Sequence, residues 1–191
     1  MKKPTFAAFL NISLAIALIS AFSVQAAEYN QVQADKSAIH FVYKQMGVAV
    51  DGTFKKFSSQ LNFDPAKPAA AKAIFDVELG SVDTGASEGD DEVAGKPWFN
   101  TKVFPTAKFT SSSVKALGSN KYEVTGQLNI KGKTQDVVVP ATFTAQGKTG
   151  VFDGSFTIRR ADFSIGEGSW AKFDVVANDV LIKFRITAVS K

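Results

Sequence analysis

The amino-acid sequence predicts an all-β domain built from antiparallel strands. Beyond residue 26, apolar residues recur with a period of two, which is typical of half-buried strands, and not with the 3.6-residue period of helices. Turn-forming residues separate these runs at intervals of roughly ten residues, the spacing of an antiparallel sandwich or barrel. Of the 17 Phe, only three lie in the first 26 residues. The others therefore supply an unusually aromatic core or line an apolar cavity.

The alternating runs can be followed in order along the chain. Pro65 and Pro68 end the third run, because proline cannot donate a hydrogen bond to a sheet ladder. The runs are residues 37–43, 48–54, a segment ending at 61–63, 73–79, 107–111, 122–130, 137–143, 152–158, 173–175 and 180–186. About eight strands form a barrel just wide enough to be filled by side chains or to hold one slender ligand. We therefore expect an antiparallel barrel of about eight strands.

One segment interrupts the alternation. Residues 87–100 show no period of two, and residues 89–94 suit an irregular loop that runs into a short helix. Acidic residues at this point favour a helix N-terminus. The expected barrel thus carries one short helix or loop insertion.

Three glycines lie inside the alternating runs, at Gly52, Gly126 and Gly154. Glycine weakens a strand unless the sheet bends there or another group approaches closely. Barrel corners and room for a ligand both explain these positions, and the sequence leaves the two explanations open.

The first 26 residues have the layout of a secretory signal peptide. Lys2 and Lys3 form a basic start, a mostly apolar stretch covers residues 6–22, and small residues mark a cleavage site between Ala26 and Ala27. A membrane anchor is the alternative, but the unbroken apolar part is shorter than the roughly 20 residues that span a bilayer. We expect residues 27–191 to form one domain that works outside the cytoplasm.

Composition excludes several classes of site. The chain has no Cys, so disulfides, thiolate metal sites, thiol catalysis and thioether-linked haem are ruled out. The formal net charge is +4 without a run of basic residues, which gives no support for nucleic-acid binding. We expect no covalent cofactor.

The sequence offers little for catalysis. The one histidine, His40, is out of phase with the inward face of its run, and the local sequence supplies no partner base or carboxylate. The acidic run at 88–92 lacks the ligand spacing of a calcium loop and indicates a solvated face. Residues 166–170 are similar to a glycine-rich phosphate loop but lack its third glycine and its strand–turn–helix setting. We predict a protein that is not an enzyme and holds no metal.

The chain resembles the YceI-like family of bacterial periplasmic, lipocalin-like proteins from about residue 37 to residue 189. Each matching segment is weak alone, but their number and order are specific. The segments are SAIHF at 37–41, KQMGV at 44–48, GTFKKF at 52–57, NFDP at 62–65, SVDTG at 81–85, FPTAKF at 104–109, GQLNIKG at 126–132 and RADFSIG at 160–166.

The resemblance implies a lipocalin-like, usually eight-stranded barrel in the periplasm, around a pore that binds polyisoprenoid chains, isoprenoid quinones or other long amphiphiles. After Thr84-Gly85, many members carry an Arg-Asp pair and a His. Here residues 88–99 read EGDDEVAGKPWF, which is similar to the branch found beside, or fused to, a b-type cytochrome of the inner membrane. Trp98 and Phe99 would cap the barrel mouth or pack the short helix down.

The candidates for ligand contact are the apolar residues on the inward faces of the runs. Each is explained equally well as core filling. They are Ile39, Phe41, Phe54, Phe75, Phe109, Leu128, Phe143, Phe156, Phe173 and Phe184.

Three functions remain open from the sequence. The first is a periplasmic binding protein that holds a long isoprenoid or acyl chain. The second is a redox accessory that presents a bound quinone to an inner-membrane b-type cytochrome, and the third is a filled barrel that acts through its surface. Edge strands would also allow a homodimer.

Overall fold

The chain folds into one curled sheet. The computed structural model describes residues 27–190, so the predicted signal peptide, including Ala26, lies outside the described residues. The strands are β1 (Tyr29–Val32), β2 (Ala38–Gln45), β3 (Val48–Phe54), β4 (Phe57–Asn62), β5 (Lys72–Glu78), β6 (Val82–Asp83), β7 (Thr106–Gly118), β8 (Lys121–Ile130), β9 (Lys133–Gln146), β10 (Thr149–Arg159) and β11 (Asp179–Ser190). The helix α1 (Ser87–Ala94) is joined by 3-10 turns at Ala34–Lys36, Pro68–Ala70, Leu79–Ser81, Arg160–Phe163 and Gly168–Trp170. Across residues 27–190, no helix is long and apolar enough to cross a bilayer.

The strand order determines which elements surround the interior. Neighbouring strands pair antiparallel in the order β4-β5-β7-β8-β9-β10-β11-β2-β3-β6, and β1 pairs with β11. The sheet curls into a half-barrel. The strand at one end, β4, directly follows β3, which is the second strand from the other end, and only Lys55 and Lys56 lie between β3 and β4. At this corner the Lys55 amide donates to the Ser81 carbonyl over 3.0 Å, and the Glu78 amide donates to the Lys56 carbonyl over 3.0 Å.

The strand count is a correction to the sequence prediction, since eleven strands form instead of about eight. One of the additional strands is β6, which follows β5 after the corner formed by the 3-10 turn Leu79–Ser81. The short β1 was not predicted, and it pairs with the C-terminal part of β11. A period of two identifies extended chain, but it does not show where a bend divides one strand into two.

Two further segments can be compared with their predictions. The loop and short helix predicted at residues 89–94 correspond to α1, which begins two residues earlier than the pattern suggested, at Ser87. The strand predicted at residues 173–175 is wrong, because these residues lie in the loop between the turn Gly168–Trp170 and β11. Backbone carbonyls of that loop bind the Arg160 side chain, and the loop meets β2 only through an isolated bridge between Val176 and Gln45.

The registers of the strands place the inward-facing residues side by side. Phe75, Phe109 and Leu128 are successive Cα partners across β5, β7 and β8. Ile39 on β2 is the partner of Phe184 on β11. Opposed side chains on one face of a sheet pack together, so the concave face presents a nearly continuous apolar surface.

The mid-strand glycines make room for aromatic rings. A Cβ atom at Gly154 would overlap the Phe184 ring and lie 2.5 Å from the Pro140 carbonyl oxygen. A Cβ at Gly52 would overlap the Phe41 ring in the same way, and Gly126 does this for a ring on β7. The close approach is therefore made by side chains of the paired strands, which neither of the two sequence-based explanations included.

The two ends of the interior are closed by different structures. At the β1 end, five rings pack with neighbouring centroids 4.8 to 5.2 Å apart. We call this cluster the aromatic plug, and it consists of Tyr29, Phe63, Tyr122, Phe143 and Phe152. At the opposite end, α1 and the segment of residues 164–177, which we call the rim loop, lie over a second cluster that includes Leu79, Trp98, Phe163, Ile165 and Val176.

Candidate functional site

The interior of the curled sheet contains two adjoining cavities. The inner cavity, of about 180 Å³, lies next to the aromatic plug, and the outer cavity, of about 260 Å³, lies beneath α1 and the rim loop. Five residues line both cavities and form what we call the waist: Ile39, Val77, Leu128, Phe156 and Ile182. Because both spaces share these walls, they are compartments of one elongated interior.

The inner cavity is an apolar space. Its wall consists of side chains from β2, β4, β5 and β7 to β11, including Phe75, Phe109, Phe152 and Phe184. The one charged residue on this wall is Lys72, which is exposed at the start of β5. Such a wall suits a hydrocarbon chain, because a polar group would lose its hydrogen bonds to water there without gaining new ones.

The outer cavity combines aromatic rings with a few polar groups. The rings belong to Phe41, Phe54, Trp98, Phe99 and Trp170. The polar residues on its wall are Tyr43, Gln45, Thr84, Glu92 and Arg160. A few polar groups in a mostly apolar wall are typical of the part of a pocket that fixes a ligand's orientation.

Eight of the ten residues predicted to contact a ligand line a cavity. Three of them lie at the waist and line both cavities: Ile39, Leu128 and Phe156. Three others line only the inner cavity, Phe75, Phe109 and Phe184, and two line only the outer cavity, Phe41 and Phe54. Their contact with a ligand stays a prediction.

The other two predicted residues lie elsewhere, which corrects their expected positions. Phe143 is 3% exposed within the aromatic plug, because the unpredicted strand β1 places Tyr29 against it at 5.0 Å between ring centroids. Phe173 is 48% exposed, because its segment is part of the rim loop and not of a strand. Its ring centroid lies 5.1 Å from Arg160 Cζ.

The buried side chain of Arg160 binds the backbone of the rim loop. Its side chain is 2% exposed and lies between Phe173 and Trp98, whose ring centroid is 5.4 Å from Arg160 Cζ. The guanidinium nitrogens donate to backbone carbonyls over 2.7 to 3.2 Å, at Ile165, Gly166, Trp170, Lys172, Val176 and Ala177. A guanidinium has only five N–H groups, so these bonds use its full capacity. Burial lowers the pKa of Arg160 from its ordinary value.

A second buried cation secures the same loop. Lys131 lies in the turn between β8 and β9, and its side chain is 7% exposed. Its Nζ atom donates to the Ser164 carbonyl and to Glu167 Oε2, both over 2.7 Å. The rim loop is therefore bound to the sheet through two cations rather than through a ladder of backbone hydrogen bonds.

Glu92 connects α1 to the rim loop. Its Oε1 atom accepts a hydrogen bond from Trp98 Nε1 over 3.2 Å and another from Trp170 Nε1 over 2.8 Å. The two indole rings are 5.3 Å apart between centroids. This carboxylate thus holds both tryptophans in place at the entrance of the outer cavity.

Tyr43 and Gln45 supply the polar side chains of β2 in the outer cavity. They are two residues apart and therefore lie on the same face of the strand as Ile39 and Phe41. Burial raises the pKa of the Tyr43 phenol from its ordinary value. Within residues 27–190, the Tyr43 hydroxyl has no protein hydrogen-bond partner.

We expected neither His40 nor the acidic run at residues 88–92 to take part in catalysis or metal binding. His40 is exposed on β2, opposite Thr53 and Lys183. Of the acidic run, Asp90 Oδ1 accepts hydrogen bonds from the Thr84 amide and hydroxyl, so this part of the run is not simply solvated. Across residues 27–190, no group of three His, Asp or Glu side chains is placed to hold a metal ion.

Sequence reasoning missed several residues of the outer cavity. The alternation placed Tyr43 on the inward face, and that signal was sufficient to include it. Arg160 and Glu92 lie outside any alternating run, and their roles depend on contacts with the distant rim loop. No local pattern in the sequence reveals such contacts.

Comparison with known sequences identifies a family and close relatives. A YceI-like domain model matches residues 30–188. A UPF0312 protein of Pseudomonas putida is 34% identical over 173 residues, which cover 86% of this chain and 88% of the relative. A UPF0312 protein of Azotobacter vinelandii is 32% identical with the same coverage of both chains, 86% and 88%.

Comparison with solved structures gives the same fold. Burkholderia cenocepacia BcnA superposes with a TM-score of 0.82 at 45% identity, over 83% of this chain and 100% of BcnA. The YCEI protein of Campylobacter jejuni gives a TM-score of 0.68 at 26% identity, over 74% of this chain and 85% of its own. A polyisoprenoid binding domain from Saccharophagus degradans gives 0.68 at 18% identity, over 86% of this chain and 99% of its own. At that identity, the last similarity concerns the fold alone.

Proposed function

The chain belongs to the YceI-like domain family, and from this premise we propose that it is a periplasmic binding protein for a long-chain isoprenoid, such as an isoprenoid quinone, or for a similar amphiphilic lipid. The lipid would occupy the inner cavity, the waist and the outer cavity. No catalytic step is part of this function. The predicted signal peptide motivates the assignment to the periplasm.

The observation that carries the proposal is the elongated apolar interior. Unfilled core volume costs about 24 cal/mol per Å³, so a void of about 260 Å³ would cost on the order of 6 kcal/mol if it stayed dry and empty. That is a large fraction of the roughly 5–15 kcal/mol that stabilises an ordinary domain. An interior selected for packing alone would be filled by larger side chains, so the space is better explained by a ligand.

The energetics of binding a chain in this interior are favourable. Each methylene moved from water to an apolar wall contributes about 0.8 kcal/mol. Ten methylenes therefore contribute on the order of 8 kcal/mol before the cost of association and of ordering the chain. The similar domain of Saccharophagus degradans is described as polyisoprenoid binding, and this description supports a ligand of the same class here.

Mass spectrometry of the purified protein tests this function. The native mass is compared with the mass after solvent extraction, and the extract is analysed for lipids. We expect one long-chain lipid per chain, released by the solvent. A protein that carries no lipid and takes up none from added isoprenoid dispersions would contradict the proposal.

A second candidate function is supported by the surface beside the outer cavity. Four exposed apolar residues lie there, on the β2–β3 hairpin and on the adjoining rim loop: Met46 at 76%, Val48 at 66%, Phe173 at 48% and Val175 at 40% exposure. The Met46 amide donates to the Val175 carbonyl over 2.7 Å, which joins the two loops. Such a surface suits a redox accessory that presents a bound quinone to a b-type cytochrome of the inner membrane. Co-purification with such a cytochrome, lost when Met46 and Phe173 are replaced by Ser, would support this role.

A further inference from the structure

The polar groups of the interior all lie on one side of the waist. No polar atom faces the inner cavity, because Lys72 and Tyr122 line it only with the apolar parts of their side chains, whereas the outer cavity contains the polar side chains named above. If the chain binds a lipid as proposed, burying the head group in the inner cavity would leave its polar atoms without partners. The head group of the ligand therefore lies in the outer cavity and the tail extends into the inner one.

The charged groups of the outer cavity are already engaged. Arg160 uses all of its N–H groups on backbone carbonyls of the rim loop, so it has no donor left for an anionic head group. The acidic Glu92 accepts hydrogen bonds from two indoles at the entrance. The other acidic residues of α1, at positions 88, 90 and 91, add to the negative potential there, and α1 contains no basic residue.

An anionic head group is therefore disfavoured in the outer cavity. A phosphate would be moved out of water towards Glu92 without gaining a free cation, and an uncompensated buried charge is strongly unfavourable. The remaining cation on either wall is Lys72, which lies beyond the waist at the start of β5. It is too exposed to offset the burial of a phosphate in the interior.

Tyr43 and Gln45 remain free to bind a neutral head group. Within residues 27–190, no protein group hydrogen-bonds the hydroxyl of the half-buried Tyr43 or the side-chain amide of Gln45, which is exposed at the end of β2. Both project from β2 into the outer cavity. Burial raises the pKa of Tyr43, so the phenol stays protonated and is available as a hydrogen-bond donor.

We infer that the protein selects lipids with an uncharged, carbonyl-bearing head group, and that the Tyr43 hydroxyl, assisted by Gln45, donates the hydrogen bond that holds this group in the outer cavity. This inference rests on the proposed lipid-binding function. A quinone ring and a simple ketone share the required chemistry, whereas a prenyl phosphate of equal length does not.

The test uses ligands that share one tail and differ in the head group. Geranylgeranylacetone carries a ketone, and geranylgeranyl monophosphate carries a phosphate on the same tail. Squalene serves as an isoprenoid without a head group. Affinities are measured by displacement of a fluorescent apolar probe from the wild type and from Tyr43→Phe. The matched control is Tyr29→Phe, which removes a phenol hydroxyl from the aromatic plug at a residue that lines neither cavity.

We expect the monophosphate to bind about tenfold or more weakly than the ketone. Tyr43→Phe should weaken the ketone about three- to tenfold, which corresponds to one neutral hydrogen bond, and should leave squalene unchanged. Tyr29→Phe should leave the affinities for the ketone and for squalene unchanged. An unchanged ketone affinity in folded Tyr43→Phe, or equal affinities for ketone and phosphate, would overturn the inference while leaving lipid binding intact. Failure of both ketone and squalene to bind would instead contradict the proposed function.

Discussion

Replacing Arg160 by methionine should loosen the rim loop and expose the outer cavity. Methionine preserves much of the side-chain volume but removes every hydrogen bond that the guanidinium makes to the carbonyls of residues 165–177. The loop has no strand partner to replace them, apart from an isolated bridge between Val176 and Gln45. Arg160 thus determines the shape of the proposed head-group compartment.

The size of this effect follows from the geometry. A hydrogen bond to a charged group contributes about 1.5–3 kcal/mol, but the values for six bonds to one side chain do not add. The carbonyls of the exposed loop regain water when Arg160 is lost, and the burial that lowers the pKa of Arg160 already opposes its charge. We therefore expect Arg160→Met to lower the free energy of unfolding by about 3–5 kcal/mol, on the order of two unreplaced hydrogen bonds to a charged group.

Arg159 provides a matched control at the neighbouring position. Its side chain is 65% exposed and forms an ion pair with Asp162 over 2.8 Å. Exposed pairs contribute only about 0.2–1 kcal/mol, so Arg159→Met should have a small effect. Urea denaturation measures the global stability of both variants, and hydrogen exchange measures local opening of residues 164–177. If Arg160→Met costs no more than Arg159→Met and leaves the exchange of the rim loop unchanged, Arg160 does not organise this loop.

Three further outcomes can be measured. Gly154→Ala should lower the urea midpoint and reduce the free energy of unfolding by about 1–3 kcal/mol through overpacking, because the new methyl group would meet a ring and a backbone carbonyl. Gly80→Ala is the control and should reduce the free energy of unfolding much less, because a Cβ at Gly80 has open space around it. A protein with Phe75→Asp and Phe109→Asp, neighbours on the inner wall, should lose lipid uptake; a folded double variant with normal lipid content would refute their role. Lys55 lowers the pKa of Asp83, so the Asp83 carboxylate stabilises the fold above the ordinary carboxyl pKa of roughly 4. This contribution disappears as the pH falls through the lower pKa of the folded state. The difference in unfolding free energy between wild type and Asp83→Asn should therefore shrink between pH 7 and pH 2, and a constant difference would contradict the ion pair.

The sequence is sufficient to predict the sheet because its signal is local. Alternation at Ile39 and Phe41, and again along β10 at Phe152 and Phe156, reports which face of each strand is buried. The same period does not show that the chain resumes as β6 after the 3-10 turn Leu79–Ser81. The two-residue strand β6 is too short to produce any periodic signal.

The polar end of the site could not be predicted in the same way. Arg160 follows β10 directly, and no feature of its neighbours in the sequence distinguishes it from the exposed Arg159. Its burial depends on the rim loop folding over it, and that loop is irregular. Phe173 illustrates the converse error, since its spacing from Val175 is typical of a strand, whereas the flanking carbonyls of Lys172 and Val176 accept hydrogen bonds from Arg160.

A crystal structure with geranylgeranylacetone bound is the most direct test of the account. We predict a single continuous ligand whose tail lies in the inner cavity between Phe75 and Phe184, passes the waist, and ends with its carbonyl oxygen within hydrogen-bond distance of the Tyr43 hydroxyl. A ligand bound with the opposite orientation, bound on the outer surface, or absent from an interior closed by its own side chains would contradict the account.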